Sequence, residues 1–419
     1  MRFSEGKRAV VVGYDAISPL GADLPEQWRN ALAGQSGIGP LTRFPLHDDF
    51  PVRIAGQVPE IDHLDYPFLT PRHRAAWHSP VFRYGMLSVA RALERSGIDI
   101  DAGLAPRVAV TYSSAVGGID AVLAADRKWQ AERKLPHPYA NPNSCINMIG
   151  GKIAMLTGAR GPILSAITAC ATGLTSMLVG AMLLAQDRAD IALCGAVDCA
   201  LVEPILAGFH TMNGAFHPKQ GREDESPARA SRPFSVDRRG FVVSEGAGAI
   251  VLATKEFAAA HGLHPTAELA GWGMTSDAHH FVMPAEDTVR QCMLDALGDA
   301  GVAPGDIAAI NAHATSTRAG DRIEFDALRA VFAGKLPPVS ANKSLLGHAM
   351  GASSAIETIL ALRGMEENVV PPTINHRPDP EMELDCVAEG ARTLTQEHVL
   401  KNAFGFGGCN ACAVLRKIA

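Results

Sequence analysis

The chain has 419 residues, 47% of them hydrophobic and 20% charged, with a formal net charge of −6. That balance excludes a disordered polymer and a surface built as a whole to attract nucleic acid, and the length calls for more than one packed unit. Eight cysteines spread over this length, several inside apolar runs, read as reduced thiols rather than a disulfide framework, which predicts a cytoplasmic protein.

The chain opens with charges up to Arg8 and then only the short apolar run Ala9 to Val12, too brief for a secretory segment, so a mature cytosolic N-terminus is expected. "RAVVVGY" near 8–14 reads as a strand. Residues 80–98 space Met86, Val89, Ala90 and Leu93 on one helical face and stop at Gly97. Strands are predicted near 107–118, 191–198 and 248–254. The polar insertion at 217–232, "HPKQGREDESPARASR", reads as a surface loop. After about residue 258 the pattern restarts, with a strand at 267–274, a helix at 286–300, a strand at 307–314 and a final strand pair near 384–388 and 411–416. The alternation predicts α/β layers. The echo between "SGIDI" and "AGVAPGDI", each after a long helix, points to duplication with halves at 1–258 and 259–419.

From Ile163 to Gln186 no residue is charged, a length that raises the question of a membrane span. Gly161-Pro162 before it and the interspersed Ser and Thr residues favour a strand, a turn and a buried helix instead, and no membrane contact is expected. If "GPILSAITAC" is a strand and "ATGLTSMLVGAMLLAQ" the helix after it, the Cys170 thiol sits at a helix N-terminus, where free N–H groups and the dipole stabilise thiolate. Such a thiol is either a nucleophile or an inert core residue. Two histidine segments weigh towards the first: His313 follows an apolar strand and precedes Thr315, Ser316 and Thr317, and Lys343 and His348 flank a glycine before another small-residue helix start. Each histidine alone also fits a hydrogen-bonded loop. "NAFGFGGCNACAVL" (402–415) lacks the Lys-Ser/Thr of a phosphate loop, and its glycines suit an N–H aimed at an oxyanion. Neither the Cys409/Cys412 pair nor His279-His280 has partners at metal-ligand spacing, so no metal is expected.

The stretches "TACATG", "RPFSVDRRGFVVSEGAG" (232–248), "NAHATSTRAGD", "KSLLGH" and "FGFGG" occur in an order and spacing that resemble, from end to end, an elongating β-ketoacyl-acyl-carrier-protein synthase of the II type, in the thiolase superfamily. The resemblance implies a duplicated five-layered αβαβα fold and a homodimer. It implies that Cys170 takes an acyl chain from an acyl carrier protein, that His313 and His348 promote decarboxylation of malonyl-carrier protein and hold the enolate, and that the N–H groups of Cys170 and Phe406 form an oxyanion hole. Lys343 would pair with Glu357, Phe406 would gate the nucleophile, Val116 would line the acyl pocket, and Thr315 and Thr317 would bind the pantetheine arm. No cofactor is implied, since substrates arrive on the carrier's phosphopantetheine. Thiolases carry a second cysteine where this chain has Phe406, initiating synthases have Asn in place of His348, and non-catalytic chain-length partners lack the nucleophile.

This chain departs from the family pattern at Ala314 and Ser244, where Gly is usual, and at Cys409, where Thr is common. Its loop at 217–226 is longer and more charged, its basic run thins to Arg72, His73 and Arg74, and Asn213 replaces a frequent arginine. Carrier proteins are acidic and dock on basic patches. Alongside fatty acid synthesis, two alternatives therefore stand: a specialised condensing enzyme of a secondary, polyketide-like pathway with its own carrier, and a non-condensing acyl-binding paralogue, against which the intact triad speaks.

Overall fold

The structure is a computed structural model that describes residues 8–218 and 226–418. Most of the charged loop at 217–226, and the segment ahead of Arg8 on which the N-terminal reading rests, lie outside the described residues. Among the described residues nine strands form one sheet: β1 (Ala9–Ile17), β2 (Val108–Ser113), β3 (Ile191–Asp198), β4 (Gly246–Thr254), β5 (Ala267–Ser276), β6 (Ala309–Asn311), β7 (Val339–Ser340), β8 (His398–Gly405) and β9 (Cys409–Lys417), in the spatial order β2-β3-β4-β1-β5-β9-β8-β6-β7. Neighbours run antiparallel except β2–β3, β8–β6 and β6–β7. The seam is narrow. β1 and β5 pair only at Val10↔Glu268 and Val11↔Ala267, so the sheet is two groups of strands joined at a corner.

Six helices make the layers. α1 (Pro80–Ser96) and α2 (Asn147–Thr157) cover the outer face of the first strand group, α4 (Glu286–Ala300) and α5 (Arg318–Val331) that of the second, and α3 (Thr172–Ala185) and α6 (Met350–Glu367) lie between the two groups. The result is αβαβα. Each interface has its own apolar core: Phe82, Leu87 and Ile153 on the first outer side, Met293, Phe325 and Leu328 on the second, and Leu174, Met177, Ile356 and Ile359 in the middle. Apart from α2 on one side of the seam and α5 and β7 on the other, each side shares the succession strand, helix, strand, helix, strand, strand, through β1, α1, β2, α3, β3 and β4, then β5, α4, β6, α6, β8 and β9.

Local chemistry sets these elements. Pro80 at the first turn starts α1 and Gly97 ends it at φ +68°, while α4 stops at Gly301 with the same φ. β1 and β4 are buried on both faces, which is why they read as continuous apolar runs rather than alternating ones. α3 carries no charge because most of its surface is enclosed. Each fully buried Leu or Met there contributes roughly 1.5–3 kcal/mol. Gly173 is required for the crossing of α3 with α6: a Cβ at that position would lie 2.6 Å from the backbone N of Ala355.

Three expectations need correction. The segment at 161–168 is not a strand; it makes a single bridge, Ile163↔Val110, after Pro162, which has no N–H to give a ladder. Residues 384–388 are also outside any strand, and the last hairpin pairs β8 with β9. Lys401 and Asn402 interrupt the apolar run of β8 and hide it in the sequence. Finally, β6 stops at Asn311, short of the expected 314, because the N–H groups of His313 and Ala314 donate to the Glu324 carboxylate instead of to a neighbouring strand.

Candidate active site

Cys170 sits in a single 3-10 turn, Ala169–Ala171, that runs directly into α3. The residue is 7% exposed, and its sulfur faces two backbone N–H groups, its own and that of Phe406. Phe406 lies in the tight hairpin between β8 and β9, and that hairpin reaches the nucleophile because residue 405 has no side chain: a Cβ on Gly405 would sit 2.2 Å from the Thr168 carbonyl oxygen. The expected thiolate is not what the environment favours. Burial pushes the Cys170 thiol up to about 11, and the opposing pull of Lys343 and of the two N–H groups does not overcome it.

His348 approaches from the start of α6. Its Nε2 lies 3.0 Å from Cys170 Sγ and its Nδ1 2.9 Å from Ser353 Oγ, with the Phe241 ring edge-on against it at 5.4 Å. Ser353 can donate or accept, so it permits either imidazole tautomer. His313 follows β6, edge-on to His348 at 5.9 Å between ring centroids. Glu324 on α5 accepts from the N–H groups of His313 at 2.9 Å and Ala314 at 2.7 Å, which holds the loop. Lys343 Nζ donates to the His313 carbonyl and to Glu357 Oε1, both at 2.6 Å, and lies 3.5 Å from His313 Nδ1. Burial first, and then the Lys343 ammonium, hold both imidazoles well below 6.5.

The three reacting groups open into a cavity of about 880 Å³. Thr315 and Thr317 line it with their hydroxyls 2.9 Å apart, and Val116 lines it beside Phe209 and Met350. Phe406 stands half-buried at its wall. Every residue to which the resemblance gives a role in the reaction thus falls in this cavity or, for Lys343 and Glu357, directly behind it. The sulfur and the two imidazoles have ligand atoms within 4.8 Å of one another, a three-ligand reach that would suit a metal ion, but the buried ammonium of Lys343 beside His313 disfavours a cation there.

Backbone strain clusters at the same place. Ala169, Ala314 and Met350, next to or two residues from Cys170, His313 and His348, have φ of +47°, +29° and +45°, a region that costs non-glycine residues of order 1–3 kcal/mol each. Ala314 therefore occupies a position whose conformation suits the family's glycine. Asn213, at φ +56° on the cavity wall, is of a residue type that enters this region more readily than most. Ser244 is fully buried and donates its N–H to the His348 carbonyl oxygen at 2.9 Å.

Sequence reasoning missed four residues. Asp198 at the end of β3 accepts from Ser114 Oγ and from the N–H groups of Ala115, Val116 and Gly351, tying the cavity wall to the start of α6, and burial pushes its carboxyl up to about 6. Glu324, Ser353 and Lys401 complete the set. The available signal was a charge at an apolar position, Asp198 closing "IALCGAVD" and Lys401 inside "HVLKNAFG". Elsewhere the metal-spacing candidates separate. Cys409 and Cys412 are three apart on β9 and so face opposite sides, and His279 and His280 are exposed. Of the thin basic run, Arg74 pairs with Asp62, which also attracts Arg83. No helix among the described residues is long and apolar enough to cross a membrane.

Residues 7–258 match the family described as beta-ketoacyl synthase, N-terminal domain, and residues 266–377 its C-terminal domain. The chain is 36% identical to a 3-oxoacyl-[acyl-carrier-protein] synthase 2 of Coxiella burnetii and 35% identical to one of Vibrio harveyi, in each case over 99% of both chains. Among solved structures it resembles a beta-ketoacyl synthase from Burkholderia phymatum, with a TM-score of 0.90 and 28% identity over 100% of both chains. It also resembles a type II polyketide ketosynthase bound to its acyl-carrier protein and a hexaketide, with a TM-score of 0.87 and 25% identity over 98% of this chain and 99% of that one.

Proposed function

The chain belongs to the beta-ketoacyl synthase family, and from that premise we propose that it joins an acyl thioester to a malonyl thioester by decarboxylative Claisen condensation, giving a 3-oxoacyl-carrier protein longer by two carbons, as in fatty acid synthesis. The observation that carries the residue roles is the 3.0 Å contact between Cys170 Sγ and His348 Nε2, made where two backbone N–H groups face the same sulfur. Cys170 attacks the acyl thioester carbonyl as His348 takes its proton, and the oxyanion forms against the N–H groups of Cys170 and Phe406. Carbon–sulfur cleavage passes the chain to Cys170, and the proton leaves with the pantetheine thiol. Malonyl thioester then loses carbon dioxide; the electron pair of the broken bond becomes an enolate whose oxygen is met by His313 and His348. The enolate carbon attacks the acyl-Cys170 carbonyl, a carbon–carbon bond forms, and the cysteine sulfur departs and is reprotonated. Neutral imidazoles suit this, because donors are needed only when the negative charge appears. Lys343, held by Glu357, fixes His313.

In this reading Thr315 and Thr317 bind the pantetheine arm, Val116 borders the acyl chain, and the reaction needs neither metal nor organic cofactor. The partner is an acyl carrier protein, and the site of action the cytoplasm. The halves divide at 258/259, a boundary supported by the repeated succession of elements across the seam. A homodimer is supported by the segment before Cys170, which lies against the edge strand β2 and leaves Ile163, Leu164 and Ile167 43%, 44% and 48% exposed, an apolar face that an identical face would cover. The pairing of Arg74 with Asp62 favours, as a second reading, a specialised carrier. The test is incubation with acyl- and malonyl-carrier proteins, housekeeping and specialised, followed by product and intact-mass analysis. A 3-oxoacyl product with a transient acyl-Cys170 is expected; acylation that never turns over would mean an acyl-binding paralogue.

A further inference from the structure

Glu357 is shared between two lysines. Its Oε1 accepts from Lys343 Nζ at 2.6 Å and its Oε2 from Lys401 Nζ at 2.7 Å, and none of the three side chains is more than 1% exposed. Lys401 lies on β8 between Val399 and Ala403, both part of the central apolar core. An ammonium in that setting costs several kcal/mol unless it is paired, and a strand whose task was packing alone would carry an aliphatic residue there. The pairing therefore points to electrostatics at the site, and Lys343 provides the connection, since its Nζ reaches His313 through both carbonyl and ring.

We propose that Lys401 is a positioning residue for the condensation: by holding the second oxygen of Glu357 it fixes the carboxylate against Lys343 and balances the buried charge beside His313, so that this imidazole stays a neutral N–H donor as the enolate forms. The inference rests on the condensation reading above. Four charges face one another behind the cavity: Lys343, Lys401 on β8, Glu357 on α6 and Glu324 on α5. They sum to zero. Without Lys401 the cluster would carry a negative charge next to the position of a second anion, the enolate. Of the groups packed around these four, Cys170 and, on β9, Cys412 are thiols that burial raises, His348 is kept neutral, and burial raises the carboxyls of Asp198 on β3 and of Asp321 on α5, the latter facing Arg238. After burial, Lys343 and His348, Lys401 is a further influence holding His313 below its ordinary range.

The experiment separates two half-reactions in purified enzyme: acylation of Cys170 by acyl-carrier protein, and decarboxylation of malonyl-carrier protein. Lys401→Met should acylate within about threefold of wild type yet decarboxylate at least about tenfold more slowly. The acid limb of its pH–rate profile should move up by about half a unit or more, because His313 protonates more easily. Lys401→Arg, which keeps the charge, should return the limb towards wild type. Decarboxylation within twofold of wild type, an equal fall in both half-reactions, or the same limb in the Met and Arg variants would each overturn the proposal. If Lys401→Met does not melt cooperatively, Lys401→Ser, which admits water to Glu357, carries the same comparison. A wild-type enzyme without any decarboxylation would instead refute the condensation reading.

Discussion

His348 Nε2 lies 3.0 Å from Cys170 Sγ while burial holds that thiol near 11, so the two form a neutral hydrogen-bonded pair and not a thiolate–imidazolium pair at neutral pH. Alkylation of Cys170 by iodoacetamide should accordingly keep accelerating as pH is raised through about 9. Stopped alkylation with peptide mass mapping measures this. A plateau reached near neutral pH would show a stable ion pair and contradict the assignment.

Removing His313, which meets the enolate but not the Cys170 sulfur, should divide the reaction in two. His313→Ala is expected to leave Cys170 acylation largely intact and to slow malonyl decarboxylation by about 100-fold or more, the usual scale for a lost donor to developing charge. Radiolabelled carbon dioxide release reads the second half and intact mass the first. Undiminished decarboxylation would remove His313 from the mechanism.

The depressed imidazoles also make stability depend on pH. With folded values well below 6.5, His313 and His348 stay neutral while the unfolded chain takes up protons, so their contribution is intact above about pH 6.5 and is lost as pH falls below it. Asp198 acts oppositely: its folded value of about 6 lies above 3.8, and stability from its protonated form is lost as pH rises through that window. Urea denaturation near pH 7.5 and pH 5 should show His348→Asn losing about 1 kcal/mol less than wild type on acidification. Equal losses would contradict this sign.

Glu324 and Gly405 are expected to be more damaging than their distance from the sulfur suggests. Glu324→Ala leaves the buried N–H groups of His313 and Ala314 without their acceptor, at about 1–3 kcal/mol each, and lowers condensation together with the melting temperature. Gly405→Ala places a methyl 2.2 Å from the Thr168 carbonyl oxygen and must lift the Phe406 N–H from the oxyanion position. Acylation about 100-fold slower in a folded protein is the expected readout. Ala314→Gly should be neutral or stabilising by up to about 1 kcal/mol, since φ is +29° there.

Ile167→Glu tests the apolar face. A charge in place of a side chain that is 48% exposed on one protomer should cost little in a monomer and prevent a dimer, which sedimentation velocity distinguishes directly. An unchanged dimer would locate the interface elsewhere.

Much of this protein was legible before folding. Long apolar runs bounded by glycine and proline marked β1, β3, β4, α1 and α4, because burial on one or both faces imposes a local periodicity that a linear reading detects. The segment at 161–168 and β8 were misread for the same reason in reverse. The first looks strand-like but has only one bridge to a neighbour, and the second is a strand whose apolar pattern is broken by Lys401, a residue that makes sense only beside Glu357.

The order of residues by itself determined which groups could react: one thiol in a charge-free run, two histidines among small residues, and glycines able to bring backbone close. Only the tertiary structure decided their state. Desolvation and buried charge arise when β6, β8, α3 and α6 converge from distant parts of the chain, and these set the Cys170 thiol protonated, the imidazoles neutral and Lys401 against Glu357, since Coulomb forces depend on separation and dielectric rather than on sequence distance.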